Sequence, residues 1–418
     1  MALGLETELK EPPVLKGFFP NNAKELLESR LTGNLLTANV YFYPECNNQC
    51  IMCCDGDSRK KGFTHNGRRI KPLTLGDYTL LIKEFASMGV KTLFVPGAGE
   101  PFYVDETDEK TYYVDETSGK KVSKFLKFIE IANGEGLHVI VISSLNPEPS
   151  DELVAELKGL NVSIIGKLES MIPERFNAIV NPNKPYNFSR IKGYGHVTRG
   201  LKKLMEAGFN EPDKNGQVRL GSGTVIHNFN KDEAENIFRF YRDFDIWPYM
   251  QIIAPRERAA KRSDLWGGID KFEIFSKLLE IDEKEYGYTW DLHYRRVAFD
   301  FVYPTIIVYY SGDVLFNAFF RYYLGSVYDD NDHYTDGEIT RIANSNPAKW
   351  LRKIHFSIGG EKECSPYDHS KCGKILLEPF FDPGEITKRI PEDFFKNNPN
   401  DYCPFFSSCT QDKYTGVK

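Results

Sequence analysis

Apolar and polar residues follow two repeating patterns over roughly the first 260 positions of this chain. Short runs that are almost entirely apolar are typical of strands buried on both faces of a parallel sheet. Runs in which apolar residues recur every three or four positions are typical of helices with one buried face. The predicted strands are 36–43, 91–96, 137–142, 161–166, 218–227 and 246–253. The predicted helices are 21–31, 74–89, 122–133, 150–159, 190–207 and 231–242.

Successive strand–helix steps predict an α/β fold, because a strand, a helix and a further strand place the two strands parallel in one sheet. The natural architecture is a parallel β/α barrel or partial barrel, here a partial (β/α)6 barrel. In such a barrel, ligands bind at the carboxyl ends of the strands. We assign the barrel to residues 36–260, after an N-terminal lead-in over residues 1–35.

The pattern changes between residues 258 and 270. A helix over 270–283 is followed by aromatic-rich, mainly β sequence over 297–327, in which Ser311-Gly312-Asp313 predicts a hairpin turn. A further helix is predicted around 347–354. These features predict a second unit over residues 261–418, a smaller α+β extension that contains cysteines.

One insertion interrupts the barrel pattern after the second strand. The sequence YVDET occurs at 103–107 and again at 113–117, and Ser118-Gly119 follows the second copy. Two alternating segments around a polar turn predict a β-hairpin. We interpret it as a surface feature rather than as a contact for substrate or partner.

Composition narrows the class of protein. The chain has 418 residues, of which 41% are hydrophobic and 27% charged, as is typical of globular proteins. The 53 basic and 59 acidic residues give a net charge of −6, which argues against a protein that coats nucleic acid. No apolar run approaches the about 20 residues of a membrane span, and the N-terminus lacks a secretory signal pattern. We therefore expect a cytoplasmic protein with neither a membrane nor a nucleic-acid partner.

The eight cysteines fall into two groups, one after the first predicted strand and one near the C-terminus. Cys46, Cys50 and Cys53 form a C-x3-C-x2-C run. Three thiolates in a tight loop suit a soft metal or an iron–sulfur cluster, and they leave one coordination position open. Zinc is the alternative, although structural zinc needs a fourth ligand. We interpret Cys54 as a small buried residue.

This run resembles the signature of the radical S-adenosylmethionine (SAM) enzymes, which follows the first strand of a partial β/α barrel. Met52 stands where that family usually has an aromatic residue. The resemblance implies a 4Fe–4S cluster bound by Cys46, Cys50 and Cys53, with SAM on the fourth iron. It also implies reductive cleavage of SAM to a 5′-deoxyadenosyl radical that abstracts hydrogen from substrate, and an electron donor such as flavodoxin or ferredoxin.

A second motif, Gly97-Ala98-Gly99-Glu100, follows the second strand and resembles the Gly-Gly-Glu motif of the same family. Glycines let the backbone approach a ligand closely, and a carboxylate suits an ammonium group. The resemblance therefore implies that Gly97, Gly99 and Glu100 bind SAM.

Later strand ends supply three more candidates for SAM binding. Ser143 follows strand three, and Gln251 on strand six is placed to face the adenosine or, equally, to be a neutral residue of the barrel interior. Lys167 follows strand four, where a cation suits a carboxylate, although a solvated lysine is the alternative.

The C-terminal unit resembles, in degenerate form, the SPASM or twitch extension that binds an auxiliary cluster. Gly312 is followed by Asn317 at the expected ligand position and then by Leu324-Gly325-Ser326-Val327. Four thiols nevertheless follow, and we predict that they hold one auxiliary 4Fe–4S cluster. They are Cys364, Cys372, Cys403 and Cys409. A zinc site and unligated thiols are the alternatives.

Three functions follow from these features. The first is a radical SAM enzyme that modifies a peptide or protein side chain, with some of the 23 Tyr and 30 Phe residues lining a peptide groove. The second is a radical SAM dehydrogenase, epimerase or rearrangement enzyme of an amino sugar, nucleoside or amino acid. The third, from another class, is a non-catalytic zinc- or cluster-binding interaction protein.

Overall fold

The computed structural model describes residues 12–18, 34–42, 45–53, 72–97, 99–103, 112–114, 119, 121–253, 258–288, 306–315, 323–345 and 348. The strands are β1 (Val14–Leu15), β2 (Thr37–Val40), β3 (Thr92–Val95), β4 (Tyr112–Val114), β5 (Lys121–Ser123), β6 (His138–Ser143), β7 (Val162–Lys167), β8 (Phe188–Ile191), β9 (Gly195–Thr198), β10 (Gln217–Val218), β11 (Leu220–Ile226), β12 (Trp247–Ile252), β13 (Ile307–Val308), β14 (Asp313–Leu315) and β15 (Tyr323–Ser326). The α-helices are α1 (Leu75–Ser87), α2 (Lys124–Gly134), α3 (Asp151–Gly159), α4 (Pro173–Val180), α5 (Arg199–Glu206), α6 (Ala234–Asp243), α7 (Ser263–Trp266), α8 (Lys271–Ile281) and α9 (Glu338–Ala343).

Nine of these strands form one mixed sheet in the order β12-β11-β7-β6-β3-β2-β13-β14-β15. The six strands from β12 to β2 are parallel and lie beside one another in chain order, with at least one helix between each successive pair. This arrangement confirms the α/β fold and its repeated strand–helix steps. The closure of this sheet into a partial (β/α)6 barrel stays a prediction.

The helix α1 shows why the local sequence folds as it does. Thr74 accepts a hydrogen bond from the Asp77 backbone N–H, and the Asp77 carboxylate accepts one from the Thr74 N–H, which forms a capping box. The buried residues of α1 recur at helical spacing; they are Tyr78, Leu81, Ile82, Glu84 and Phe85. An apolar cluster of the described residues includes four of them, together with side chains from other helices and from the strands of the sheet.

The N-terminal segment 12–18 packs against the amino-terminal side of the sheet, an arrangement that the sequence did not indicate. Its strand β1 pairs in parallel with β10. The Lys16 and Gly17 carbonyls accept hydrogen bonds from Ser163 and Thr92, at 2.8 and 2.7 Å. Phe18 lies 4.4 Å from Trp247 between ring centroids, inside a second apolar cluster of the sheet. The predicted helix over 21–31 lies outside the described residues.

The predicted helix over 190–207 is wrong in its first half. Residues 188–198 form an antiparallel hairpin of β8 and β9, and the helix α5 begins only at Arg199. Gly193 has φ +89 in the turn of this hairpin, where the left-handed backbone favours glycine and ends any helix. The sequence pattern also missed α4, which begins with Pro173.

The described part of the insertion contains an antiparallel hairpin. β4, at the start of the second YVDET copy, pairs with β5 at residues 121–123. Residues 104–111 lie outside the described part of the chain, so a turn between the two copies stays a prediction. Gly119, between β4 and β5, has φ +67, in the left-handed region that favours glycine.

Residues beyond 260 continue the main sheet. β13 pairs in parallel with β2, and β13 and β14 form the antiparallel hairpin predicted around Ser311-Gly312-Asp313. Within the described residues, no helix combines the length and apolar character that a membrane span requires. The division at residue 260 stays a prediction. The predicted helix around 347–354 lies almost entirely outside the described residues, and the four C-terminal cysteines lie entirely outside them. That helix and the auxiliary cluster therefore stay predictions as well.

Candidate functional site

The cysteine loop, residues 45–53, leaves the sheet just after β2 and is held by the end of α4. The Gln49 and Ile51 backbone N–H groups donate to the Asn181 and Ile179 carbonyls, each at 3.0 Å. Cys50 is buried, whereas Cys46 and Cys53 are half-buried. Backbone anchoring at these two points fixes a loop that has little regular structure of its own.

The glycine motif meets the cysteine loop directly. The Glu100 backbone N–H donates to the Glu45 carbonyl at 2.8 Å, immediately before Cys46. Gly97 has φ +80, and a Cβ there would stand 3.1 Å from the Gly99 carbonyl oxygen, so this turn requires glycine. Two motifs about 50 residues apart in the sequence are therefore neighbours at one end of the sheet.

The Glu100 side chain, 2% exposed, is bound at both of its oxygens. Ser143 Oγ donates to Oε1 at 2.5 Å, and the Ser144 N–H donates to Oε2 at 2.7 Å. Burial raises the pKa of Glu100, and the hydrogen bonds from these serines partly offset that rise. The structure thus shows Ser143 orienting Glu100; direct binding of SAM by either residue stays a prediction.

Two asparagines of the cysteine loop, which the sequence analysis did not single out, tie this loop to the end of β6. Asn48 Nδ2 donates to Ser144 Oγ at 2.8 Å, and Asn47 Nδ2 donates to the Asn146 carbonyl at 2.7 Å. Asn48 is 2% exposed, so this bond is shielded from water. In the sequence, the indication of such a role was the run of three amide residues between Cys46 and Cys50.

Lys167, the last residue of β7, is adjacent to the buried thiol. Its Nζ lies 3.8 Å from Cys50 Sγ. Burial raises the pKa of Cys50 to about 11 against the opposing effect of Lys167, and Cys53 and Cys46 add to the rise. The charges of the other two cysteines therefore act on Cys50 across the loop. Burial opposes the charge of Lys167, but the negative groups around it hold its pKa above the usual value.

A buried carboxylate, Glu169, lies two residues beyond Lys167 and is 1% exposed. Its Oε2 accepts a hydrogen bond from the Val225 N–H at 2.8 Å, and its carbonyl accepts one from Asn230 Nδ2 at 2.8 Å. Burial raises the pKa of Glu169 to about 7, and Lys167 partly offsets that rise. Glu169 was not among the residues that the sequence predicted to bind SAM.

Gln251 lies farther along the same edge. Lys167 pairs with Gly223, Gly223 pairs with Tyr249, and Gln251 follows two residues later on β12. Its Nε2 donates to the Tyr249 hydroxyl at 2.6 Å. Since side chains alternate along a strand, Lys167, Tyr249 and Gln251 share one face of the sheet. Contact of Gln251 with an adenosine stays a prediction.

Three thiols beside the half-buried ammonium group of Lys167 suit an iron–sulfur cluster, because thiolates are its usual ligands and nearby cations compensate their charge. A bound metal would deprotonate Cys50 despite its raised pKa. Within the described residues, no three His, Cys, Asp or Glu side chains are arranged to hold a single metal ion. Cys54, Cys364, Cys372, Cys403 and Cys409 lie outside those residues.

Comparison with known proteins finds similarity to solved structures. No protein-family model and no curated protein matches the chain. Streptococcus suis SuiB bound to S-adenosylmethionine is 11% identical, covers 79% of this chain and 70% of its own, and has a TM-score of 0.48. Native anSMEcpe with bound AdoMet is 11% identical, covers 77% of this chain and 84% of its own, and has a TM-score of 0.44.

A further solved structure is BtrN in complex with AdoMet and 2-DOIA, which is 10% identical, covers 77% of this chain and 86% of its own, and has a TM-score of 0.34. All three of these solved structures contain bound S-adenosylmethionine (AdoMet).

Proposed function

We propose that this protein is a radical SAM enzyme. The observation that carries the proposal is the hydrogen bond from the Glu100 N–H to the Glu45 carbonyl, which joins the glycine motif to the cysteine loop. An ordinary turn between a strand and a loop does not require contact with the cysteine loop, whereas a cofactor bound by both motifs requires that they lie side by side. The ammonium group of Lys167 beside Cys50 is a second feature that such a cofactor uses.

Each group of residues has a distinct task in this proposal. Cys46, Cys50 and Cys53 would hold a 4Fe–4S cluster, which together with SAM supplies a radical that abstracts hydrogen from substrate. Lys167 compensates the negative charge of the thiolates. Its position at a strand end also suits it to bind the SAM carboxylate.

The glycine motif is suited to receive SAM through its backbone. Because Gly97 and Gly99 have no side chains, a ligand can approach the main chain closely at these two positions. Glu100 is held in one orientation by Ser143 and Ser144, which supports a fixed acceptor for the SAM amino group. Gln251, on the face that it shares with Lys167, would contact the adenosine.

The test is anaerobic reconstitution of the full chain with iron and sulfide, followed by incubation with SAM and dithionite. We expect 5′-deoxyadenosine from the natural protein and from Cys54→Ala, and none from a variant with Cys46, Cys50 and Cys53 all replaced by Ala. Undiminished product from the triple variant, or no product from the natural protein with its cluster loaded, would refute the proposal. A non-catalytic metal-binding protein predicts the second of these results.

For the substrate we favour a peptide or protein side chain over a small molecule, because the 23 Tyr and 30 Phe residues are sufficient to line a peptide groove as well as a core. The two alternatives differ in genomic context. A short precursor-peptide gene next to this one supports the peptide substrate, and sugar-processing genes support the small molecule.

A further inference from the structure

We propose that Arg258 is a positioning residue of the cysteine loop whose fixed charge favours the reduced form of the cluster. The inference rests on the proposed function and goes beyond it, because it concerns how this chain sets the potential of its cluster. Arg258 belongs to none of the motifs recognised in the sequence.

The geometry places Arg258 at the central cysteine. Its Nη1 donates to the Cys50 carbonyl at 3.4 Å, across a separation of 208 residues. Lys167 reaches the same residue from another element, 3.8 Å from Sγ. Cys50 is thus contacted by one cation at its backbone and by a second at its thiol.

The segment that carries Arg258 is firmly attached to the sheet. Ala259, its neighbour, is fully buried, and its carbonyl accepts a hydrogen bond from Trp266 Nε1 at 3.0 Å. The Asn228 N–H, just beyond β11, donates to the Leu265 carbonyl at 2.8 Å. The guanidinium group therefore extends from a fixed base rather than from a free loop.

The charges around Cys50 determine the direction of the effect. Lys167 and Arg258 are the two cations described in contact with Cys50, and the acid Glu169, which also acts on Cys50, has a pKa of about 7 that reduces its negative charge near neutral pH. Reduction of the cluster by one electron from dithionite adds one negative charge, which a nearby cation stabilises. An arginine remains protonated throughout the accessible pH range, so its contribution is constant.

The test uses three variants of the reconstituted full chain: Arg258→Gln, Arg258→Lys and, as a matched control, Lys184→Gln. Lys184 is exposed and follows Asn183, whose N–H donates to the Asn47 carbonyl of the same loop. The readouts are iron and sulfide content and the midpoint potential of the cluster, followed by electron paramagnetic resonance during a dithionite titration.

We expect Arg258→Gln to retain its iron and to show a more negative midpoint potential, Arg258→Lys to return toward the natural value, and Lys184→Gln to show no shift. An unchanged midpoint in iron-loaded Arg258→Gln overturns the proposal, as does an equal shift in Lys184→Gln. If Arg258→Gln fails to load iron, loading and a natural midpoint in Arg258→Lys support the role of charge, and failure of both variants overturns it. Absence of any 4Fe–4S signal in the natural protein instead refutes the proposed function.

Discussion

At the scale of single residues, the site concentrates ionisable groups where burial makes charge costly. Cys50, Lys167 and Glu169 lie within one region of the sheet edge, and burial shifts the pKa of Cys50 and of Glu169 upward. Burying such groups costs free energy, so their concentration in one place points to a ligand that uses them. Glu169 is the member whose charge varies within the working range of most proteins.

We expect Glu169→Gln to alter how stability depends on pH. The pKa of Glu169 is about 7 in the folded protein against 4.5 when unperturbed, so the free energy of unfolding falls as pH rises through that window. Gln keeps an acceptor for the Val225 N–H but has no charge. The stability of the variant relative to the natural protein should therefore increase between pH 5 and pH 7.5, by at most about 3 kcal/mol.

The measurement is urea unfolding of both apoproteins at these two pH values. Glu156→Gln is the control, because Glu156 lies on the exposed face of α3 and should show no such pH-dependent gain. A Glu169→Gln difference that stays constant with pH would contradict the assignment.

At the scale of elements, the first helix supports a segment from the other end of the described chain. The buried Glu84 carboxylate of α1 accepts hydrogen bonds from the Gly337 and Thr340 N–H groups at 3.0 and 3.1 Å, and from the Tyr334 hydroxyl at 3.0 Å. Helix α9 has no side-chain cap of its own. A carboxylate from another helix therefore satisfies the free N–H groups at its N-terminus.

Replacing Glu84 by Ala should loosen α9 selectively. The change leaves backbone donors at its first turn without an acceptor, at a cost of about 1–3 kcal/mol for a buried group. Hydrogen–deuterium exchange should accelerate over 337–345 while β6 and β7 stay protected. Lys83 is an exposed neighbour on α1, and Lys83→Ala should leave exchange in both regions unchanged. Equal exchange over 337–345 in the two variants would contradict stabilisation of α9 by Glu84.

At the scale of the whole molecule, one sheet joins distant parts of the chain. β13, beyond residue 300, lies beside β2 at the start of the parallel strands, and the segment 12–18 pairs with β10 in a separate two-stranded sheet. The predicted cysteine-bearing extension therefore contains strands that share a sheet with β2, the strand that leads into the cysteine loop. The metal content of the protein tests whether the four C-terminal cysteines hold a second cluster.

We predict two clusters, so replacing Cys364 and Cys403 together by Ala should lower the iron content by about four atoms per chain. Replacing Cys54 by Ala serves as the control and should leave iron unchanged. Loss of one zinc instead would indicate a zinc site, and no change in either metal would indicate unligated thiols.

The sequence alone determined the alternation of strands and helices, the C-x3-C-x2-C and Gly-x-Gly-Glu motifs, and their positions after the first two strands. These features are local: hydrophobic period, capping residues and turn glycines act over a few positions. The local pattern predicted structure less well where turns dominate. The hairpin of β8 and β9, for example, lies where the pattern predicted the first half of a helix.

Only the tertiary structure decided which side chains meet. Glu100 with Ser143, Lys167 with Cys50, and Arg258 with the Cys50 carbonyl are separated by 43, 117 and 208 residues. Such contacts depend on strand order, register and the path of each connection, which no short window of sequence contains. The sequence therefore supplied the chemical groups of the site, and packing of the sheet brought them within hydrogen-bonding distance or close contact.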